Sequence, residues 1–221
     1  MNKKVLIAPS THPCPLKDLS KYAKELELAG ADWLHCDIMD GKFVPARTFD
    51  QLVVAFLKKS TNLLLDVHLM IKDPMRVVAE YVKYGANNIT IHYECFDDKI
   101  ELINALQQIK KLGVNVGISL KPQTPIENIF TILPYVDLVL VMSVEPGASG
   151  QTFIKSSIQK IAKLNKKRNE SGYNFIIEVD GGINTTNAQI VAISGADVLV
   201  SGSEVYKSSN RAKTIEKLKS F

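Results

Sequence analysis

Cysteine is scarce in this chain, and the three that occur, Cys14, Cys36 and Cys95, form no Cys-x-x-Cys pair. An odd number cannot be fully paired within one chain, which argues against a disulfide-stapled scaffold and favours a reducing compartment. No apolar run approaches the ~18 residues of a membrane span. The first residues, Met1-Asn2-Lys3-Lys4, lead straight into a strand-like segment with no signal-peptide core. A cytoplasmic protein without a membrane partner is therefore expected. A large charge excess of one sign is also missing, because 27 Lys and Arg stand against 23 Asp and Glu and leave +4. The densest basic run, Lys163 to Arg168, reads as a solvated helix face, so nucleic acid is not an expected partner.

What is present is the composition of an ordinary globular enzyme, 46% apolar and 23% charged over 221 residues, and residues 1–221 are read as one domain. Strand-like apolar runs recur at 5–8, 33–38, 63–69, 88–92, 115–120, 138–142, 175–179 and 198–201. Between them, segments such as 16–29, 48–58, 74–84, 98–112 and 154–168 carry apolar residues at helical spacing. Three passages from helix to strand are built alike: Ala29-Gly30-Ala31-Asp32, Tyr84-Gly85-Ala86-Asn87 and Ser194-Gly195-Ala196-Asp197. Glycine there supplies the left-handed residue that closes a helix, so a βα unit is used repeatedly. Eight such units make either an open doubly wound sheet or a closed (β/α)8 barrel. The first strand is followed by Pro9-Ser10-Thr11-His12-Pro13 where a dinucleotide-binding sheet places Gly-x-Gly-x-x-Gly. The expectation is an α/β protein with a single (β/α)8 TIM barrel, its chemistry at the C-terminal ends of the strands.

Strand two ends in His35-Cys36-Asp37-Ile38-Met39-Asp40-Gly41. Side chains alternate along a strand, so His35, Asp37 and Met39 share one face and Leu34, Cys36 and Ile38 the other. The polar set points into the barrel mouth. Strand three repeats the pattern in Asp66-Val67-His68-Leu69-Met70, and strand seven ends in Glu178-Val179-Asp180-Gly181-Gly182. One His–Asp pair is as well explained by a buried hydrogen bond, but His35, Asp37, His68 and Asp180 at strand ends of one barrel make a two-His, two-carboxylate set for a divalent metal. Zinc, iron, manganese and cobalt all accept such mixed ligands. Glycines follow three adjacent strands, in Glu145-Pro146-Gly147-Ala148-Ser149-Gly150, in Asp180-Gly181-Gly182 and in Ser201-Gly202-Ser203. Loops of this kind let backbone N–H groups approach a phosphate, and Gly147, Gly150, Gly181, Gly182, Gly202 and Ser203 are its candidate contacts. His92 and Glu94, on one face of strand four, either support the ligands or bond each other.

With those residues identified, the chain resembles the ribulose-phosphate 3-epimerase family from end to end. The resemblance is carried by Ile7-Ala8-Pro9-Ser10, by Ala31-Asp32-Trp33-Leu34-His35-Cys36-Asp37-Ile38-Met39-Asp40-Gly41-Lys42-Phe43-Val44-Pro45, by Asp66-Val67-His68-Leu69-Met70, by His92 and Glu94, by Val141-Met142-Ser143-Val144 with Pro146-Gly147, by Glu178-Val179-Asp180-Gly181-Gly182-Ile183 and by Gly195-Ala196-Asp197-Val198-Leu199-Val200-Ser201-Gly202-Ser203. It implies a barrel of the ribulose-phosphate-binding type, interconversion of D-ribulose 5-phosphate and D-xylulose 5-phosphate in the pentose phosphate pathway, one divalent metal ion and a homo-oligomer. It places the metal on His35, Asp37, His68 and Asp180, the acid/base pair on Asp37 and Asp180, a substrate contact on Ser10, and the sulfurs of Met39, Met70 and Met142 along the reacting carbons. A proton beside a ketone is too weakly acidic for a free carboxylate, so the metal would stabilise a cis-enediolate. Inversion then needs two bases on opposite faces.

The chain departs from the family pattern at Thr11-His12-Pro13-Cys14-Pro15, at Ala46 where Asn is usual, and in the loop after strand six. There the family reads Asn-Pro-Gly-Phe-Gly-Gly-Gln, and Glu145, Ala148 and Ser149 replace Asn, Phe and the first paired glycine. These positions separate the pentose reading from its sister, an allulose-6-phosphate 3-epimerase. An orotidine-phosphate-decarboxylase-type barrel would carry Asp-x-Lys-x-x-Asp where Asp66-Val67-His68-Leu69-Met70-Ile71 stands. Lys121, the nearest candidate for a Schiff-base nucleophile, is followed by Pro122 and a helix and reads as a loop residue. The remaining alternative, from another class, is a sugar-phosphate-binding barrel without catalysis.

Overall fold

The computed structural model describes residues 5–48 and 50–220. Met1-Asn2-Lys3-Lys4, residue 49 of the expected helix 48–58, and residue 221 lie outside them. Among the described residues eight strands form where the apolar runs predict them: β1 (Leu6–Ala8), β2 (Trp33–Met39), β3 (Leu64–Met70), β4 (Asn88–His92), β5 (Asn115–Leu120), β6 (Leu138–Met142), β7 (Ile176–Asp180) and β8 (Val198–Val200). All ladders are parallel, in the order β1-β8-β7-β6-β5-β4-β3-β2. The last seam closes between β1 and β2, where Ser10 bridges His35 in parallel and the backbone N–H of Thr11 donates to the His35 carbonyl. The result is a TIM barrel.

Around the sheet run α1 (Leu19–Leu28), α2 (Gln51–Ser60), α3 (Val78–Lys83), α4 (Lys99–Lys111), α5 (Ser157–Ser171), α6 (Ala188–Ile193), α7 (Ser203–Lys207) and α8 (Arg211–Lys219). The carboxylate of Asp98 starts α4 by accepting from the N–H groups of Ile100 and Glu101. The helix expected after Pro122 does not form. Two 3-10 turns, Ile126–Ile129 and Leu133–Tyr135, connect β5 to β6 instead, because Pro125 and Pro134 withhold N–H donors and crowd a preceding turn. The expected helix starts at 16 and 74 are likewise 3-10 turns leading into α1 and α3.

The repeated passages from helix to strand have a second function in the fold. The carboxylate of Asp32 accepts from Ile7 N–H at 2.8 Å, the amide oxygen of Asn87 from Leu65 N–H at 2.9 Å, Asp137 from Val116 N–H at 3.1 Å and Asp197 from Ile177 N–H at 2.8 Å. Each residue before an even strand thus ties down the start of the odd strand beside it, at the end of the barrel away from the site. The outward strand residues, Leu34, Leu65, Ile89, Ile118 and Val139 among them, pack with Leu26, Leu57, Leu106 and Leu164 of the helices in the main core. The interior is divided. Ala8, Trp33, Leu138, Leu140, Met142, Val198 and Val200 fill one side, while His35, Asp66, His68, Thr90, His92, Ser119 and Glu178 are fully buried polar groups. Burying that many polar groups costs stability unless they bond one another or a ligand, and the candidate site lies at their upper end.

Candidate active site and metal centre

The alternation of β2 turns His35 and Asp37 inward, β3 contributes His68, and β7 ends on Asp180. One ligand atom from each of the four lies within 4.8 Å of the others. Asp37 is central: its Oδ1 stands 3.3 Å from His35 Nε2 and 3.2 Å from His68 Nδ1, and its Oδ2 accepts from the Ser10 hydroxyl at 2.7 Å. His35 Nε2 is buried without a hydrogen-bond partner among the described residues. An orphaned buried nitrogen is costly, and a cation shared with Asp37, His68 and Asp180 would satisfy it. Two imidazoles and two carboxylates are also the donor set expected of zinc, iron, manganese or cobalt, so the residues fit a divalent metal.

The two aspartates are held in opposite states. Burial raises the Asp37 carboxyl, but the charge of the adjoining His35 outweighs it, with the His68 ring beside it, and holds it well below the usual range. Burial and then the Asp37 charge push Asp180 up to about 7. Burial would lower His35, yet Asp37 and Asp66 keep it well above an ordinary imidazole. His68 is lowered by burial.

Beneath the cluster, His35 Nδ1 meets Asp66 Oδ2 at 2.6 Å, and Glu178 Oε1 lies 3.6 Å from the same nitrogen. Burial and the Asp66 charge raise Glu178 well above the usual carboxyl range. Sequence reasoning quoted Asp66 and Glu178 only as parts of motifs and missed this role. The signal was available: each stands two residues before a candidate ligand, His68 or Asp180, and so shares its face.

Above the cluster opens a narrow cleft. Ser10, Asp37, Asp180, Met39, Met70, Met142, Gly147, Gly150, Gly181, Gly182, Gly202 and Ser203 all line it, so every expected contact except the fully buried His35 and His68 reaches its wall. Met39 and Met70 also pack with Val44, Phe43 and Ala46, so they serve lining and packing together. Gly182 has φ +66, and a Cβ there would stand 2.6 Å from the Phe153 backbone nitrogen. Gly202 differs from the other loop glycines in having φ −85, which any residue adopts. Glu145 is exposed. The missed lining residues include His12, Val144, Gln151 and Ile183. Gln151 was findable, since the family loop pattern ends in glutamine; its amide donates to the carbonyls of Glu145 at 2.6 Å and Ala148 at 2.8 Å and folds the loop on itself. Asp40 organises the neighbouring loop by accepting from the backbone of Lys42, Phe43 and Lys72.

A closed parallel barrel whose strand ends gather a two-His, two-Asp candidate metal centre under a glycine-lined cleft defines the class. Residues 6–206 match the family model described as the ribulose-phosphate 3 epimerase family, and the chain belongs to that family. It is 44% identical to the chloroplastic ribulose-5-phosphate-3-epimerase of Arabidopsis thaliana over 97% of this chain and 76% of that protein. Identity to the ribulose-phosphate 3-epimerase of Bacillus subtilis is 40%, over 97% of this chain and 98% of that one. Among solved structures, 3-hexulose-6-phosphate synthase from Salmonella typhimurium superposes with a TM-score of 0.73 over 97% of both chains at 16% identity, a likeness of fold alone.

Proposed function

We propose that the chain, as one catalytic domain, is a metal-dependent epimerase that inverts C3 of a ketose phosphate, converting D-ribulose 5-phosphate to D-xylulose 5-phosphate. The observation that carries this reading is the pair of carboxylates, Asp37 and Asp180, gathered from β2 and β7 into one cluster and held in opposite protonation tendencies. His35, Asp37, His68 and Asp180 would hold a divalent cation, which when bound would supply positive charge where negative charge develops on the substrate oxygens. In one direction the ionised Asp37 removes the C3 proton from one face while the protonated Asp180 returns a proton to the other; in reverse the roles exchange. Ser10 orients Asp37 through its hydroxyl. Met39, Met70 and Met142 keep water from the reacting carbons, and the loops of Gly147, Gly150, Gly181, Gly182, Gly202 and Ser203 receive the phosphate.

Cytoplasmic location, a homo-oligomer and a place in the pentose phosphate pathway belong to the same proposal. The family membership supports them, as do the three free cysteines for a reducing compartment. No helix among the described residues is long and apolar enough to cross a membrane. The test is solvent deuterium incorporation at C3 of ribulose 5-phosphate and of allulose 6-phosphate, with and without a chelator. Exchange and inversion of the pentose, abolished by chelation, are expected. Preference for the hexose moves the chain to the sister activity, and binding of either sugar without exchange replaces catalysis by a binding role.

A further inference from the structure

On the side of His68 away from the cluster, a chain of buried hydrogen bonds leads to one carboxylate. His68 Nε2 meets His92 Nε2 at 2.8 Å, and His92 Nδ1 meets Glu94 Oε2 at 3.1 Å. The other oxygen of Glu94 accepts from the backbone N–H of Lys121 at 2.7 Å and from the Thr124 hydroxyl. That segment is itself pinned, because Lys160 of α5 donates to the carbonyls of Lys121, Pro122 and Thr124. Phe43 packs its ring 4.6 Å from that of His92, with the Lys121 ammonium 4.3 Å from the centre of the Phe43 ring. Both histidines are fully buried, so water does not compete for their nitrogens.

We propose that Glu94 is a positioning residue which, through His92, fixes the proton of His68 on Nε2 and leaves His68 Nδ1 free to ligate the cation. The inference rests on the reading of His68 as a cation ligand. A carboxylate only accepts, so His92 must carry its proton on Nδ1. His92 Nε2 is then a lone pair, and the facing His68 Nε2 must be the donor. His68 Nδ1, 3.2 Å from Asp37 Oδ1, is left unprotonated toward the cluster. A ring nitrogen that donates to an outer partner is the usual means of orienting a ligating histidine.

Glu94→Gln reverses the chain. The Lys121 N–H is a fixed backbone donor, so the glutamine oxygen must face it and the NH2 must face His92 Nδ1. His92 then accepts at Nδ1 and donates from Nε2, and the His68 proton moves to Nδ1, where a cation needs a lone pair. Thr124→Val removes a donor from the same carboxylate without altering the chain, and serves as the control for mere structural disturbance.

The experiment measures Co2+ dissociation constants by chelator competition for wild type and both variants, with melting in EDTA to verify folding. It also records long-range 1H–15N histidine spectra of the cation-free wild-type protein. Glu94→Gln is expected to bind Co2+ about 10–100-fold more weakly, Thr124→Val to match wild type, and the spectra to place protons on His92 Nδ1 and His68 Nε2. Wild-type affinity in Glu94→Gln, equal loss in both variants, or a proton on His68 Nδ1 in the wild-type spectra overturns the proposal. Should wild type bind no Co2+, the cation reading fails separately, and the spectra still decide where the relay holds its protons.

Discussion

Replacing Asp180 by asparagine removes one of the two proposed proton carriers while keeping shape and one oxygen at the cluster. A positioned acid or base contributes about 10²–10⁴-fold to a rate. The geometry places this loss at the upper end. The nearest alternative carboxylates, Asp66 and Glu178, are fully buried beneath His35, and the Ser10 hydroxyl already donates to Asp37 at 2.7 Å. Nothing in the cluster replaces the missing group, so interconversion should fall by about 10⁴-fold, an added barrier of roughly 5 kcal/mol. The assay is coupled conversion of each epimer, together with C3 deuterium exchange read by mass spectrometry. Asp180→Asn should still exchange one epimer slowly through Asp37 without inverting it, and Asp37→Asn the other. Interconversion by Asp180→Asn above about one per cent of wild type, with the cation bound, refutes the two-carboxylate assignment.

The same residue sets a pH dependence for the cation-free protein. With Asp180 raised from 3.8 to about 7, the folded state holds a proton that the unfolded chain has released, so this contribution is full below about pH 4 and is lost as pH rises through 7. Asp180→Asn should therefore raise the melting temperature in EDTA more at pH 8 than at pH 5; an equal or opposite change contradicts the shift. Gly182→Ala forces a left-handed backbone on a residue with a Cβ, costing about 1–2 kcal/mol before its contact with Phe153 N is relieved. Urea denaturation should register that cost and the KM for the phosphosugar should rise, whereas unchanged values would remove the cleft loop from the argument. Asp98→Ala deletes the cap that receives two N–H groups of α4, and Asp98 is not among the residues that line the cleft. It should cost about 1 kcal/mol in urea denaturation and leave kcat untouched.

Most of the barrel was legible because its units are local. The Ala-Gly-Ala-Asp passage before β2 records a helix end, a left-handed residue and a strand start within four residues, and its recurrence announces the repeating unit. The cluster was legible for a related reason: His35 and Asp37 share a face by alternation alone. Less could be read where the outcome depended on neighbours. Between β5 and β6 a helix was expected after Pro122, but Pro125 and Pro134 within the segment broke it into 3-10 turns. The contact of His68 with His92 lies between adjacent strands and depends on their stagger, which no spacing within either strand reveals. His92 and Glu94 were expected on one face of strand four, but that strand ends at His92 and Glu94 lies in the 3-10 turn Tyr93–Cys95, and their direction toward His68 could not be known.

What the chain determined by itself is which side chains face inward at the end of each strand, since covalent geometry alternates them whatever the strand packs against. What only the tertiary structure decided is their meeting. Closure of β1 on β2 sets the Ser10 hydroxyl against Asp37, and the curvature of the sheet brings Asp180 from β7 to His35, Asp37 and His68 of β2 and β3. These distances follow from strand number, stagger and closure acting together; burial within that closed wall raises Asp180, and the His35 charge set against Asp37 overrides burial there, which puts the two in opposite states.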